Sequence, residues 1–288
     1  LSEIFAFFKE HQGAHSLVFL WWESIFSDIF PFKESDTIQK IRVESDIVSI
    51  LSHYTFHSII TKEKIDFCIF PHEFSFVFWK IPYSLFLSDL REYFYPSGFF
   101  QNAIGRKIAT FFQKRRLSLA QRIFTFAQST KKEAVETFNI SEERFFCSLP
   151  PETQARETYD PLLVRKKFSL WKIPESYVAF FWDWSVIENL PRILLAYKQV
   201  KEKFPETPLL IVGKEGVCSQ EVRSVIVEEW LANSVRILGQ MDPPDAKLIL
   251  SHAKALINAH LYDGWNPTLS LAASLRVPII CASLPGYR

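Results

Sequence analysis

The sequence predicts an α/β protein of two domains, each a parallel sheet covered by helices. Three observations predict it. Short apolar runs alternate with amphipathic stretches along most of the 288 residues, the pattern that strand–helix units with short connections produce. The apolar fraction is 48%, enough to fill real cores and far from a disordered composition. A polar stretch after Pro150 and Pro151 has no hydrophobic period, which marks a linker between two such blocks. We therefore expect a first domain over 1–150, a linker over 151–160 and a second domain over 161–288.

In the first block, Ile4, Phe7 and Phe8 fall at helical spacing within 1–9, and Gln12 and Gly13 stop that helix before the apolar run 17–22. A helix at 46–62 and a strand at 65–70 follow, then a short apolar run at 83–87 that ends in Ser88, Asp89 and Leu90. Residues 101–119 read as a basic amphipathic helix carrying Arg106, Lys107, Lys114, Arg115 and Arg116. A strand at 122–127 leads to Ser129, Thr130 and Glu133, spaced as a capping box for the next helix. A strand at 145–149 closes the block. In the second block, strands at 177–182, 208–212, 235–238, 255–258 and 277–281 alternate with helices at 189–204, 219–231, 243–253 and 267–275.

Composition removes several classes. Lys plus Arg number 33 against 32 Asp plus Glu, a net charge of +1, so bulk charge points to no polyanion and no nucleic-acid partner is expected. The 28 Phe and 8 Trp against 8 Gly fit well-filled cores. Cys68, Cys147, Cys218 and Cys281 are scattered without a CxxC pair, which predicts reduced, mostly buried thiols in a cytoplasmic setting rather than disulfides or zinc. No apolar run reaches the ~20 residues of a spanning helix, and 16–22 lacks a signal-peptide layout. The chain opens at Leu1 and stops at Arg288 just after a strand and turn, so we expect both ends to be cut. The basic helix at 101–119 has two readings: a solvated helix side, or a face for a membrane surface or an acceptor phosphate.

In an open parallel sheet a ligand sits at the carboxyl ends of the strands, so the turns after strands hold the candidates. Gly213 lets the backbone turn after one strand and puts Lys214 within reach of a phosphate; a plain turn is the alternative. Leu238 and Gly239 offer backbone groups to a base. Residues 262–267 combine the carboxylate of Asp263 with Gly264, Trp265, Asn266 and a helix N-terminus. A carboxylate accepts from sugar hydroxyls, and free N–H groups with the helix dipole favour phosphate. An Asp-Gly turn with Pro267 opening a helix explains the same residues without a ligand. Asp89 either faces a cleft between the domains or is a solvated loop carboxylate. His252 and His260 are separated by a strand and lack metal-ligand spacing, so no metal is expected. A GxSxG elbow and a P-loop are absent.

Taken in order, these turns resemble the retaining glycosyltransferases of the GT-B type, the group that includes bacterial mannosyltransferases and glycogen-synthase-like enzymes. Residues 177–192 resemble the family's strand, glycine loop and "Lys-Asn-Leu" helix start. Residues 209–214 resemble its next strand and glycine, and 235–257 its Gly, helix and Ala-rich strand. Residues 263–274 and 277–283 resemble its donor-site signature and the strand after it. In the first half, 66–70, the Ser88-Asp89-Leu90 turn and 126–131 match in order and spacing. The sequence departs from the pattern at several places. The family's first signature Glu is Asp263 here and its second falls at Leu271; its glycine falls at Trp182, its basic phosphate ligands at Asp183 and Glu188, and its His before Asp-Leu at Ser88. Its opening strand would precede Leu1 and its closing helices would follow Arg288.

The resemblance implies two Rossmann-like domains facing a cleft. It implies transfer of a hexose, mannose being the family's common case, from a nucleotide sugar such as GDP-mannose or UDP-hexose to a glycan or lipid-linked acceptor in surface polysaccharide synthesis. Configuration would be retained without metal or other cofactor, the departing phosphate helping to deprotonate the acceptor, so that catalysis is electrostatic and positional. Asp263 would hold sugar hydroxyls, with Gly264, Trp265 and Asn266 on sugar and phosphate. Gly213, Leu238 and Gly239 would line the nucleotide, Lys214 would supply the missing cation, and Asp89 would orient the acceptor. The enzyme would be cytoplasmic, with peripheral contact at the inner membrane surface. The rival is a catalytically inactive relative that binds glycan or stabilises a partner. A sugar-nucleotide epimerase on the same plan would need an acid/base pair, for which Asp89 and His72 are the candidates.

Overall fold

The computed structural model describes residues 17–22, 38–43, 57–70, 81–95, 102–148 and 159–287, the first two stretches by backbone alone. The helix expected at 1–9, and His72, lie outside the described residues. The chain divides into two compact units, Leu1–Leu87 with Phe112–Phe124, and Ser88–Phe111 with Thr125–Arg288.

The apolar run 17–22 forms β1 (Leu17–Trp22), paired in parallel with β2 (Ile38–Val43), Leu17 opposite Ile38. After a helical stretch at 57–62 come β3 (Cys68–Phe70), β4 (Tyr83–Phe86) and β5 (Arg122–Thr125), parallel to one another, with Cys68 opposite Tyr83 and Leu85 opposite Ile123. Leu85 and Ile123 are fully buried in this sheet, and Tyr83 donates its hydroxyl to the carbonyl of Arg116 at 2.7 Å. With β6 (Phe145–Cys147) the sheet order is β3-β4-β5-β6.

The helices of this part are α1 (Arg91–Phe94), α2 (Ala103–Leu119) and α3 (Gln128–Phe138). The capping box expected at 129–133 does not form. The N-cap is Ala127 in an extended conformation, without a side-chain cap, and Glu133 instead accepts the hydroxyl of Tyr262. A tertiary partner has taken the carboxylate that the local motif needs. At its other end α3 stops on Asn139 in the left-handed region, where Asn is tolerated because its short polar side chain satisfies local groups.

A helix not expected from the sequence, α4 (Pro161–Leu170), starts right after the linker stretch. Asp160 caps it by accepting from the Leu162 N–H at 2.9 Å, with Pro161 at the first position. Its Leu162, Leu163 and Leu170 are all exposed, while Phe168, with Trp171 just beyond the helix, packs on the core, so exposed leucines obscure the core-facing side in the sequence.

The second sheet is built as expected: β7 (Val178–Phe181), β8 (Leu209–Val212), β9 (Val235–Gly239), β10 (Ala255–Asn258) and β11 (Ile279–Cys281). The order is β11-β10-β7-β8-β9, all parallel. Helices α5 (Leu190–Lys203), α6 (Ser219–Glu228), α7 (Pro243–Ser251) and α8 (Pro267–Ser274) connect the strands. Side chains of a strand alternate between faces. Ala179, Phe181, Leu210 and Val212 pack with Ile249, Leu250 and Ala272, whereas Phe180, Leu209 and Ile211 pack with Ile193, Leu194 and Val222. Both faces of the central strands β7 and β8 are dry, which is why these two read as unbroken apolar runs.

All four cysteines are free, and the expectation of mostly buried thiols is corrected: Cys218 is buried, Cys68 and Cys147 are half-buried and Cys281 is exposed. Cys281 ends the edge strand β11, whose Ile280 is exposed as well. Burial, with Asp66 nearby, pushes the Cys68 thiol up to about 11.

Leu210 is fully buried in the central strand β8. We expect Leu210→Ala to lower the unfolding free energy by about 2–5 kcal/mol, the cost of lost burial plus a cavity, measured by denaturant titration.

Candidate functional site at the sheet switch point

The chain enters the second sheet at β7, runs outward through β8 and β9, then crosses to β10 and β11 on the other side. The connections leaving β7 and β10 therefore diverge, and the crevice at their carboxyl ends is the topological switch point where open sheets hold ligands. Residues 182–184 follow β7 and residues 259–263 follow β10. Here lies a cluster of buried charge: Asp89, Glu188, His260 and Asp263 are each at most 5% exposed, and Arg91 joins them.

Asp263 is the centre. Its Oδ2 takes His260 Nδ1 at 2.9 Å, Asn266 Nδ2 at 2.7 Å and the Tyr287 hydroxyl at 2.8 Å. Its Oδ1 takes Arg91 Nη2 at 3.2 Å. A carboxylate offers about four lone-pair sites, so Oδ2 is saturated and the remaining acceptor capacity is on Oδ1. Burial alone would raise the Asp263 pKa, but these donors and the charge of Arg91 outweigh it and hold the carboxyl below its usual range.

His260 is fixed on both ring nitrogens. Nε2 forms an ion pair with Glu188, and Asn258 Nδ2 lies 3.0 Å from the same nitrogen. Burial would lower the imidazole pKa; the hydrogen bonds and charges of Asp263 and Glu188 overcome this and raise it. Glu188 is itself pushed up, by burial first, against the pull of His260 and Arg91.

Arg91 holds the opposite side. Its Nε donates to Asp89 Oδ2 at 2.8 Å, its Nη2 lies 2.7 Å from the same oxygen, and its backbone N–H bonds Asp89 Oδ1 at 2.8 Å. Its Nη1 stands 3.9 Å from Glu188 Oε1. Burial disfavours the guanidinium charge, yet Asp89, Asp263 and Glu188 more than compensate and raise its pKa. The formal count is three carboxylates against one guanidinium and one imidazolium. Such an arrangement suits a hydroxyl-rich ligand and provides no unpaired cation for a diphosphate.

Asp89 and Asp263, named from the sequence, are thus brought together, with Asp89 buried rather than solvated. Asn266 is used at both ends: Nδ2 on Asp263, and Oδ1 accepting from the Thr268 and Leu269 N–H groups at 3.0 and 3.1 Å as the N-cap of α8. Trp265 donates to Ser270 Oγ at 3.0 Å and packs on Phe126, ring centroids 4.7 Å apart. Gly264 is required by close approach, since a Cβ there would sit 2.5 Å from the Ser88 carbonyl oxygen and 2.9 Å from Asp89 Cβ.

Gly213, at φ +149°, would place a Cβ 1.7 Å from the Trp182 carbonyl oxygen. Lys214 is exposed, and the cations within the Asp263 cluster are Arg91 and the His260 imidazolium. Leu238 lines a cavity of about 450 Å³ with Trp171, Gln240, Met241, Asp242 and Asp245. Gly239, at φ +75°, borders it in sequence and accepts from the Gly213 N–H at 2.9 Å. Trp182 stands at φ +146°, a conformation L side chains rarely adopt and one that strained functional loops retain. Its ring meets His260 edge-on at 5.8 Å.

Arg91, His260 and Tyr287 are site residues that the sequence reading missed. The spacing of His260 from His252 speaks only to metal binding, and among the described residues no group of His, Cys, Asp and Glu is arranged to hold a metal ion. The available signal was position: Arg91 lies two residues after Asp89 and His260 three before Asp263.

No family model matches the chain. Over 147 residues it is 26% identical to the uncharacterized glycosyltransferase MJ1059 of Methanocaldococcus jannaschii, covering 48% of this chain and 36% of that protein. The chain thus spans about a third of the length of this curated relative. Among solved structures, HepE of Anabaena in complex with UDP and glucose has a TM-score of 0.63 at 15% identity, covering 87% of this chain and 68% of that one. WaaG, a glycosyltransferase involved in lipopolysaccharide biosynthesis, has a TM-score of 0.65 at 13% identity, covering 89% and 71%. Sucrose-phosphate synthase from Thermosynechococcus elongatus has a TM-score of 0.68 at 13% identity, covering 94% and 72%. The chain has the GT-B glycosyltransferase fold. The two parallel sheets anticipated from the alternation of strand–helix units are both present.

The pKa shifts fix a sign for the pH dependence of stability. A histidine raised on folding stabilises fully below its ordinary value of about 6.5 and loses that contribution as pH rises through the folded value. Asp263, lowered on folding, stabilises above its ordinary value and loses this as pH falls through the lowered one. We expect the unfolding free energy to decline on the alkaline side, and His260→Gln to flatten that decline in urea titrations between pH 6 and 9. Gly264→Ala should destabilise by about 1–3 kcal/mol, because backbone rather than a flexible side chain must yield; thermal unfolding measures it.

Proposed function

We propose that the chain belongs to a glycosyltransferase that moves a hexose from a nucleotide sugar to a glycan or lipid-linked acceptor, with retention of configuration and no metal. The observation that carries this reading is Asp263: a buried, ionised carboxylate at the switch point of a GT-B fold, its Oδ2 locked by protein donors and its Oδ1 keeping acceptor capacity beside Arg91. A sugar hydroxyl donating to Oδ1 completes that carboxylate. Similarity to a glycosyltransferase in sequence and to HepE, which was captured with UDP and glucose, supports the donor class. The cavity beside Leu238 and Gly239 is the place for the base. Asp89, by holding Arg91, orients the acceptor side. No helix among the described residues is long and apolar enough to cross a membrane, and we place the enzyme in the cytoplasm with peripheral contact at the inner membrane surface, where surface polysaccharides are assembled.

A specific observation favours a second reading, a non-catalytic glycan-binding or partner subunit. Glu188 and Asp183 stand where the resemblance puts basic phosphate ligands, and Glu188 is committed to His260. Leu271 replaces the second carboxylate of the signature. Like charge beside a diphosphate costs on the order of 1 kcal/mol or more per contact even when partly screened.

Calorimetric titration of the full-length protein against UDP-glucose, GDP-mannose, UDP and GDP separates the two. We expect micromolar binding of one nucleotide sugar, weakened at least about tenfold in Asp263→Asn while affinity for the free nucleotide is unchanged, as loss of a charged hydrogen bond to a sugar hydroxyl requires. Asparagine is preferred to alanine because truncation would leave Arg91 and His260 facing an empty site. A folded protein that binds none of the four ligands would favour the second reading.

A further inference from the structure

Tyr262 stands one residue before Asp263, and its hydroxyl is used twice. It accepts the backbone N–H of Leu90 at 3.2 Å and donates to the carboxylate of Glu133 on α3. Leu90 is fully buried and stands between Asp89 and Arg91 as the N-cap of α1, with no side-chain cap. The four residues of α1 are too few for a helix to hold itself in place, so it takes its position from what it touches. Tyr95, just past its end, donates its hydroxyl to the Leu261 carbonyl at 3.1 Å. The rings of Phe94 and Tyr95 lie 5.4 and 5.9 Å from the ring of Tyr262. Residues 90–95 are therefore clasped to Leu261 and Tyr262 at both ends, all within one compact unit. One residue further along each segment, Arg91 Nη2 meets Asp263 Oδ1 at 3.2 Å.

We propose that Tyr262 is the positioning residue of the Arg91–Asp263 pair, with Glu133 setting the direction of its hydroxyl. The inference deepens the reading of Asp263 Oδ1 as the acceptor for a sugar hydroxyl, and rests on that reading for the use of the pair. A tyrosine hydroxyl has one proton to give. The Glu133 carboxylate only accepts, so it takes that proton and leaves a lone pair turned to the Leu90 N–H. A phenylalanine ring fills the same space beside Phe94 and Tyr95 but leaves the Leu90 N–H buried without a partner, which costs free energy. That cost is relieved by a shift of Leu90, and Arg91 moves with it. Asp263 is held by three donors on Oδ2 and stays, so the contact on Oδ1 is what opens.

Hydrogen exchange of the Arg91 guanidinium protons, followed by NMR in the full-length protein and assigned through Arg91→Lys, tests this without any ligand. We expect Tyr262→Phe to speed that exchange about fivefold, the loss of one hydrogen bond. Glu133→Gln keeps an accepting oxygen and should stay near the wild-type rate. Tyr197→Phe is the control for general loosening. Its hydroxyl bonds the carbonyls of Thr207 and Ser234, which precede β8 and β9 and so lie at the opposite end of the sheet from the site. That variant should lower the melting temperature and leave Arg91 unchanged. In calorimetry, a nucleotide sugar that the wild type binds should lose about fivefold in affinity for Tyr262→Phe, with the free nucleotide unaffected. Guanidinium exchange that Tyr262→Phe leaves alone, or that Tyr197→Phe speeds as much, overturns the proposal. So does faster exchange with the nucleotide-sugar affinity unchanged. A wild type that binds no nucleotide sugar overturns the donor reading above, and the exchange comparison then decides the role of Tyr262 by itself.

Discussion

Four hydrogen bonds converge on the carboxylate of Asp263, and they bring together segments far apart in sequence. Arg91 arrives from the start of α1, His260 and Asn266 flank the carboxylate locally, and Tyr287 reaches it from beyond β11. Buried charge is costly unless it is paired and hydrogen-bonded, so each of these side chains is held by the requirement of the others. Without Arg91 the cluster would keep three carboxylates against a single imidazolium. Without Glu188, His260 would lose the ion pair that helps keep it protonated. The site is therefore a mutual constraint and not a collection of independent ligands.

That constraint changes what the individual residues mean. A carboxylate at Glu188, where a phosphate-binding cation is the expectation from the resemblance, looks like lost function when read alone. In the fold it anchors His260, which in turn orients Asp263. Asn266, expected to touch a ligand, caps α8 with one end and steadies Asp263 with the other. Side chains whose donors and acceptors are all used within the protein set the geometry of a site without facing its ligand. Asp263 Oδ1, beside the Arg91 guanidinium, keeps acceptor capacity.

The backbone around the switch point is similarly tight. Gly213 and Gly264 both sit where any Cβ would strike a carbonyl oxygen, so their role is packing of main chain against main chain. Trp182 carries a glycine-like φ and meets the His260 ring, bringing a large apolar surface to the loop where the resemblance has no side chain. This is local strain held by the surrounding core, for Trp182 packs against the buried clusters on both faces of the sheet.

Sequence alone determined the architecture of the second half nearly to the residue: the strand at 255–258 is β10, and the helices α5 to α8 fall within the stretches expected for them. Continuous apolar strands, Pro-opened helices and short connections are local signals, and local signals survive without knowledge of the fold. It also named both Asp89 and Asp263, because carboxylates after parallel strands fall at the end of the sheet where ligands bind. What it did not contain was partnership. The capping box at 129–133 failed because Tyr262 claims Glu133, α4 was missed because its leucines face solvent, and the contacts of Arg91 and Tyr287 with Asp263 went unseen because they join segments far apart in sequence. Pairing of buried charges is decided by which chain segments the packed core brings within about 3 Å, the range of a hydrogen bond, and only the tertiary structure sets that.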